Sequence, residues 1–255
     1  AIRRQGDLEG FEFGRQRAGT VMTVMLAWVL PYFATTGLFH TKFLRYMAPI
    51  VPFLIAVGAA ALVAGVRSLA ARWGRKGATL GIALAAATLL VTIGWAAAFV
   101  QVYRQEHPWI AASRWIYEQA PECAKLLTEH WDDALPLALD ELTDRPARDY
   151  VRVELPLWDE DNAAKLGTLA AELASGDYLI LASNRLSAPI QRLGGRYPMG
   201  SAYYRLLLDG ELGYTRVAEF TSYPRLGPFV IPDDHADESF TVYDHPHVVI
   251  FANTG

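Results

Sequence analysis

Three long apolar stretches, separated by short polar segments, dominate the first hundred residues of the chain. They cover residues 18–39, 46–66 and 79–100, and none of them contains Asp, Glu, Lys or Arg. A helix of about 22 residues reaches about 32 Å at 1.5 Å per residue, which matches a hydrocarbon core of about 30 Å. The alternative is three buried helices of a large soluble protein, whose cores rarely contain three such runs in succession. The pattern therefore predicts three membrane-spanning helices.

From residue 107 onward, shorter apolar runs alternate with segments of helical spacing. The runs predict strands at 124–128, Val151–Leu155, 178–182 and Tyr214–Phe220, and a closing hairpin of 240–243 with 248–251 through Asp244-His-Pro-His. Helical spacing predicts helices at Pro108–Gln119, lying along the membrane surface, at 159–174, with Asp159 or Asp161 as N-cap, and at Pro198–Leu208. This alternation predicts an extracytoplasmic α/β domain, 107–255, with a largely parallel sheet.

Charge divides the chain at the same place. Residues 1–106 carry eleven Lys and Arg against four Asp and Glu, a net of +7, whereas residues 107–255 carry twelve against twenty-three, a net of −11. The loop 67–76 has four cations and no acid, so the positive-inside rule predicts that it is cytoplasmic, together with residues 1–17. The acidic domain is then outside a multi-pass cell-membrane protein. Its charge excludes a nucleic-acid partner.

The amino terminus and the cysteine content add two expectations. The chain begins Ala-Ile-Arg-Arg, without methionine, and its first apolar run is too long for a signal peptide and lacks a cleavage site. This favours a piece of a longer protein. The single cysteine, Cys123, cannot form an internal disulfide, so the chain is not a disulfide scaffold.

The loop between the first two apolar stretches is the first candidate site. It reads His40-Thr-Lys42-Phe-Leu-Arg45, and it places two cations at the outer face, where the positive-inside rule disfavours them. Such a pair can bind a lipid phosphate or diphosphate, Arg through its planar fork and Lys as a point charge. The alternative is ordinary snorkelling of both side chains to bulk phospholipid.

The second candidate follows the predicted strand 124–128. Glu129, His130, Asp132 and Asp133 lie where ligands bind in open α/β sheets, and this cluster could bind a sugar or a metal. An Asp-rich turn is equally a helix cap. No metal site and no cofactor are predicted, since the sequence lacks a Walker loop, a Gly-x-Gly-x-x-Gly motif and a Cys-x-x-Cys motif.

Two further motifs are weaker. His245-Pro-His247 offers two imidazoles on one face of a predicted strand, without a third metal ligand at a readable spacing. Asp159-Glu-Asp161 matches the Asp-x-Asp pattern of nucleotide-sugar enzymes, but a helix N-terminus explains it better.

Residues 39–53, Phe-His-Thr-Lys-Phe-Leu-Arg-Tyr-Met-Ala-Pro-Ile-Val-Pro-Phe, resemble a late segment of polytopic glycosyltransferases that use a polyprenyl-phosphate sugar donor. These are the family 39 type, related to protein O-mannosyltransferases, with close bacterial relatives in Chloroflexi. Residues 108–117, 127–136, 221–228 and 238–246 resemble the outer domain of the same proteins. The YYY membrane-protein family is similar in this carboxy-terminal region.

The resemblance implies an enzyme that transfers a sugar, such as a hexose or mannose, from a lipid phosphate donor at the outer face. The general base of such enzymes is an Asp or Glu in the first outward loop, which this chain lacks, so no catalytic residue is assigned and the fragment alone should be inactive. The role of binding the donor phosphate maps onto Lys42 and Arg45, with His40 beside them. A fixed cation there would stabilise the leaving phosphate. The alternative is a non-enzymatic, membrane-anchored outer domain that binds a ligand or partner, with these three residues merely interfacial.

Overall fold

The structure, a computed structural model, describes residues 2–39, 43–130, 132–139 and 149–255, with side chains from residue 19 onward. It divides the chain into two units, Ala1–Ile93 and Gly94–Gly255. The second unit therefore includes residues 94–106 in addition to the predicted domain 107–255.

Long apolar helices form the amino-terminal part of the chain. Helix α1 is Ile2–Gly37 and helix α2 is Val51–Val100, with a short 3-10 helix at Leu44–Met47 between them. In the described part of the chain, two helical stretches, Gly19–Gly37 and Val51–Gln119, are long and apolar enough to cross a membrane. Only 11% and 6% of the residues in their most apolar windows are buried. The apolar side chains are therefore not covered as they would be in the core of a soluble protein.

Helix α2 contains the third predicted span, 79–100, and all but the first five residues of the second, 46–66, and it is interrupted between them. Gly74 has non-helical dihedral angles, φ 60° and ψ −137°. Beyond it, a Cβ atom on Gly81 would lie 2.9 Å from Cα of Val66, and one on Gly77 would lie 1.9 Å from the carbonyl oxygen of Leu69. Such contacts are impossible in a straight helix, where each residue adds about 1.5 Å. The two arms of α2 therefore fold back on each other at Gly74, and glycine permits their close approach.

The second unit is an α/β domain built on one five-stranded sheet. In chain order, the elements that the described residues of this unit form after α2 are the 3-10 helix Gln101–Arg104, α3 Pro108–Gln119, β1 Lys125–Glu129, β2 Val151–Leu155, α4 Ala163–Ser175, β3 Tyr178–Leu181, α5 Ser187–Arg192, α6 Pro198–Leu208, β4 Tyr214–Phe220, β5 Arg225–Leu226, β6 Phe229–Val230, α7 Glu238–Thr241 and β7 Val248–Asn253. The sheet order is β2-β1-β3-β7-β4, and β5 and β6 form a separate small hairpin.

Helices cover both faces of this sheet. Successive strand residues point to opposite faces, so Leu126 and Leu127 enter different cores. One core receives side chains from α4, α5 and α6, including Leu169, Ile190 and Leu207. The other receives Ala112, Ile116 and Tyr117 from α3. The predicted α/β class is confirmed.

The sheet is mixed, so the prediction of a largely parallel sheet is wrong in part. β1 is parallel to both β2 and β3, whereas β7 is antiparallel to both β3 and β4. The predicted strand at 240–243 is also wrong, because a short helix, Glu238–Thr241, occupies that segment and the side chain of Asp237 caps it at the amide of Ser239. The closing hairpin is therefore absent, and β7 pairs with β3 and β4 instead.

The predicted helix 159–174 begins later than expected. Its N-cap is Asn162, whose side chain accepts a hydrogen bond from the amide of Lys165 at 2.9 Å. Asp159 and Asp161, the two predicted N-caps, lie before the helix. Asp161 accepts hydrogen bonds from the Lys165 ammonium at 2.7 Å and from the Met199 amide at 2.6 Å. Its carboxylate therefore joins α4 to α6 and does not form an open Asp-x-Asp site.

Candidate functional site

One edge of the sheet collects most of the polar side chains singled out in the sequence. β1, β3 and β4 all end there, and the antiparallel β7 begins there, since Leu181 pairs with Val249 and Phe220 pairs with Val248. The loops that follow or precede these strands therefore meet. Two neighbouring groups form at this edge, the carboxylate cluster and the histidine pocket.

The carboxylate cluster consists of Glu129, Asp132, Ser183, Arg185 and Tyr204. Glu129, the last residue of β1, is buried, and the Tyr204 hydroxyl donates a hydrogen bond to its carboxyl group. Burial raises the pKa of Glu129 to about 8, although the bond from Tyr204 acts in the opposite direction. Glu129 is therefore largely protonated at neutral pH.

Asp132 is the second carboxyl group of the cluster. The Ser183 hydroxyl donates a hydrogen bond to it, and Nη1 of Arg185 lies 3.5 Å from its Oδ1. Burial raises the pKa of Asp132, and the contacts with Ser183 and Arg185 limit the rise. The charge of Asp132 also contributes to the raised pKa of Glu129. Glu129 and Asp132 thus lie at the same edge of the sheet in different surroundings. Such a pair of carboxyl groups can bind hydroxyl groups or hold a proton.

The structure brings together only part of the predicted cluster. Glu129 and Asp132 are neighbours, but Nδ1 of His130 bonds the carboxylate of Glu154 on β2, and Asp133 is exposed. Within the described residues, no group of three or more His, Cys, Asp or Glu side chains could hold a metal ion. The sequence pattern does not identify Ser183, Arg185 and Tyr204 as members of the cluster, because they come from distant segments that the fold brings to β1.

The histidine pocket is a cavity of about 60 Å³ beside the carboxylate cluster. Nε2 of His245 lies 2.8 Å from Asp233, and His247 contacts Glu219 at 2.8 Å and Asp234 at 3.4 Å. The remaining lining residues are Asn184, Thr221, Tyr223 and Thr241. His245 and His247 precede β7 and have separate acidic partners, so the prediction that they share one face of a strand is wrong.

His245 carries an unsatisfied polar atom in this pocket. Its side chain is 1% exposed, and its Nδ1 has no hydrogen-bond partner within the described part of the chain. Buried polar atoms are normally paired, and a polar cavity of this size has room for ordered water or a small hydroxyl-bearing group. Asn184, between Ser183 and Arg185 in sequence, lines the pocket and connects it with the carboxylate cluster.

The end of α2 approaches the same edge within the second unit. The ring of Phe99 contacts that of His245, with centroids 5.6 Å apart, and the Tyr103 hydroxyl donates a 2.7 Å hydrogen bond to Asp244. His107 lies 3.1 Å from the Tyr243 carbonyl. The histidine pocket is thus next to Val100, where the last apolar stretch ends.

Arg45 is the described member of the predicted cation pair, and His40 and Lys42 lie outside the described residues. Its guanidinium lies 4.4 Å from the ring centroid of Phe43 and 5.8 Å from that of Tyr46, so cation–π contacts orient it. Tyr46 also lines an apolar groove of about 310 Å³, together with Trp28, Pro31, Tyr32 and Phe39. The first unit therefore combines an oriented cation with an apolar groove.

Comparison of the chain with protein-family models, with curated proteins and with solved structures finds no match.

Proposed function

We propose that this chain is the carboxy-terminal portion of an integral membrane glycosyltransferase that takes a sugar from a polyprenyl-phosphate donor at the outer membrane face. The observation that carries the proposal is the guanidinium of Arg45, which stands over Tyr46 at a groove lined by Trp28, Tyr32 and Phe39. An isoprenoid chain is apolar and its phosphate is anionic, so one such molecule would contact both features.

The proposal includes three membrane crossings, by Gly19–Gly37 and by the two arms of α2 on either side of Gly74. The low burial of these apolar stretches supports it, because lipid would cover the side chains that protein does not. The turn at Gly74 would be cytoplasmic and the α/β domain would be outside, as the basic loop 67–76 favours.

The α/β domain would contribute contacts to the sugar or to its acceptor. Support comes from the contact of Phe99, at the end of the last apolar stretch, with His245 of the histidine pocket. Tyr103 and His107, just beyond that stretch, contact the neighbouring residues 244 and 243. A lipid-linked sugar is presented at that depth. Carboxyl, amide and hydroxyl groups are suitable partners for its hydroxyls.

In the full-length protein, the Arg45→Ala variant should lose about 10–150-fold in sugar transfer. The reason is the loss of a charge-assisted contact to phosphate, which is worth about 1.5–3 kcal/mol. The Arg45→Lys variant should recover only part of the rate, since an ammonium lacks the planar fork. The measurement is transfer from a synthetic polyprenyl-phosphate sugar, with protein amount and thermal stability recorded alongside.

Arg104→Ala is the matched control, because Arg104 is an exposed cation that follows the last apolar stretch. It should transfer sugar at the wild-type rate. A Lys42→Ala/Arg45→Ala double variant that stays within about threefold of wild type, well below the 1.5 kcal/mol lower bound for such a contact, would contradict the donor-binding role. Both residues would then be ordinary snorkelling cations.

The proposed orientation has a direct test in the native cysteine. Cys123 is exposed in the α/β domain, so a membrane-impermeant maleimide should label the wild-type protein in intact cells. A Cys123→Ser/Ser68→Cys variant should be labelled only after the cells are opened, since residue 68 belongs to the basic loop 67–76. Labelling of the residue 68 site in intact cells, together with protection of Cys123, would reverse the orientation.

A membrane-anchored binding domain without enzymatic activity is the second candidate. Two observations favour it: Glu129 and Asp132 are already engaged by Tyr204 and Ser183, and the cavity of about 60 Å³ is smaller than a hexose. The coding sequence upstream of Ala1 discriminates the two candidates. Further spans with an acidic residue in the first outward loop favour the transferase, and a nearby start codon favours the anchor.

A further inference from the structure

The small β5–β6 hairpin presents apolar side chains to the surroundings of an acidic domain. Phe229 is 73% exposed, and Leu226 and Val230 are about half exposed. Gly227, with φ 58°, makes the tight turn between the two strands. Residues 221–231 contain one charged side chain, Arg225, in a domain whose residues 107–255 have a net charge of −11. The hairpin is thus apolar and slightly basic, whereas the domain that carries it is acidic.

The hairpin is fixed beside the segment that follows α2. Oγ of Ser222 donates to the Val102 carbonyl at 3.4 Å, and Nε2 of Gln105 donates to the Tyr223 carbonyl at 3.0 Å. β5 itself lies against the 3-10 helix Gln101–Arg104, which begins immediately after Val100. All of these residues belong to the second unit. The apolar tip is therefore held a few residues from the end of the last apolar stretch.

The composition of this surface matches a membrane interface. Phe229 and Leu226 are apolar, and the exposed Tyr103 on the neighbouring 3-10 helix is amphipathic. Arg225, which precedes Leu226 in sequence, is an exposed cation. Aromatic and aliphatic side chains flanked by Arg are typical of segments that dip into the headgroup region of a bilayer.

We propose that the β5–β6 hairpin inserts its tip, Leu226, Phe229 and Val230, into the outer leaflet of the bilayer, with Arg225 at the level of the lipid phosphates. This inference rests on the proposed crossing of the membrane by α2. The inserted tip gives the α/β domain a second attachment besides the helix end at Val100. It would hold the histidine pocket at the lipid surface, where a lipid-linked sugar is presented.

The test uses the full chain in vesicles of phosphatidylcholine and phosphatidylglycerol. In a Cys123→Ser background, an environment-sensitive fluorophore is attached to Phe229→Cys, to Leu208→Cys or to Leu90→Cys. Leu208 is the matched control, since it is also an exposed apolar residue but precedes β4, which begins at the opposite edge of the sheet. Leu90, in the second arm of α2, reports whether that arm crosses the bilayer.

Nitroxide-labelled lipids should quench the probe at residue 229 at least about threefold more strongly than the probe at residue 208, with a blue-shifted emission. Equal, weak quenching at 229 and 208, with strong quenching at 90, would overturn the hairpin inference and leave the membrane crossing intact. Weak quenching at all three would overturn both. If neither lipid nitroxides nor aqueous iodide quench the probe at residue 229, protein covers the tip of the hairpin. That result would also overturn the hairpin inference.

Discussion

Replacing Lys165 with methionine should lower the unfolding free energy of the α/β domain by about 3–5 kcal/mol, because it breaks a buried ion pair from one side. The side chain of Lys165 is 2% exposed. Its ammonium donates to the carbonyls of Leu157 and Asp159, both at 2.8 Å, and to the carboxylate of Asp161 at 2.7 Å. The variant leaves three acceptors without their donor and Asp161 without its cation.

The measurement is urea unfolding of the chain in detergent, followed by near-ultraviolet circular dichroism. Lys165→Met/Asp161→Asn should recover part of the loss, since the uncompensated charge is removed. Lys125→Met is the matched control, because Lys125 pairs with Glu172 at 2.6 Å in a partly exposed pair, and it should cost about 1 kcal/mol or less. A loss at Lys165 no larger than that at Lys125 would contradict the structural role of the ammonium.

The second large effect is on the pH dependence of stability. Between about pH 4.5 and 8 the unfolded state should release the proton of Glu129 while the folded state keeps it, because burial raises the pKa from 4.5 to about 8. The contribution of this residue to stability is therefore full below pH 4.5 and is lost as pH rises, by up to about 1.4 kcal/mol per pH unit. Above pH 8 both states are ionised and no further loss follows.

Glu129→Gln should remove this dependence, since the amide is neutral and its oxygen still accepts the hydrogen bond from Tyr204. The variant should match the wild type near pH 4.5 and exceed it in stability at pH 8. Urea unfolding at a series of pH values gives the difference. Glu118→Gln, on the exposed side of α3, is the control and should keep the wild-type slope. Parallel stability profiles for Glu129→Gln and the wild type would contradict a protonated Glu129.

Local patterns were sufficient for several elements. Helices Pro108–Gln119 and Pro198–Leu208 and strands Val151–Leu155 and Tyr214–Phe220 have the predicted bounds, because apolar spacing and proline at the helix starts are local signals. The strand predicted at 240–243 is wrong because two local signals conflict there. Phe240 and Tyr243 favour a strand, while the capping side chain of Asp237 starts a helix. The mixed sheet was not predictable, because strand order depends on contacts between distant segments.

The candidate site likewise combines residues that a local pattern identifies with residues that only the fold brings together. Glu129 and Asp132 could be singled out because they follow a strand that ends at a sheet edge. Their partners, Tyr204 and Ser183, are 75 and 51 residues away, so no spacing in the sequence connects them. The spacing of His245 and His247 indicates a pair, but only the fold shows that the two imidazoles have different acidic partners.

Because β7 lies inside the sheet and comes last in sequence, it governs the order in which the sheet can assemble during synthesis of the chain. β7 is the last strand in sequence, but it lies between β3 and β4, and among the described strands β4 has no other neighbour in the sheet. As residues leave the ribosome in sequence order, β1, β2 and β3 can pair at once, while β4 must wait for residues 248–253. Until then the edges of β3 and β4 that later pair with β7 stay open, and unpaired strand edges can recruit other chains. A holdase chaperone that covers open strand edges would act on the domain during that interval.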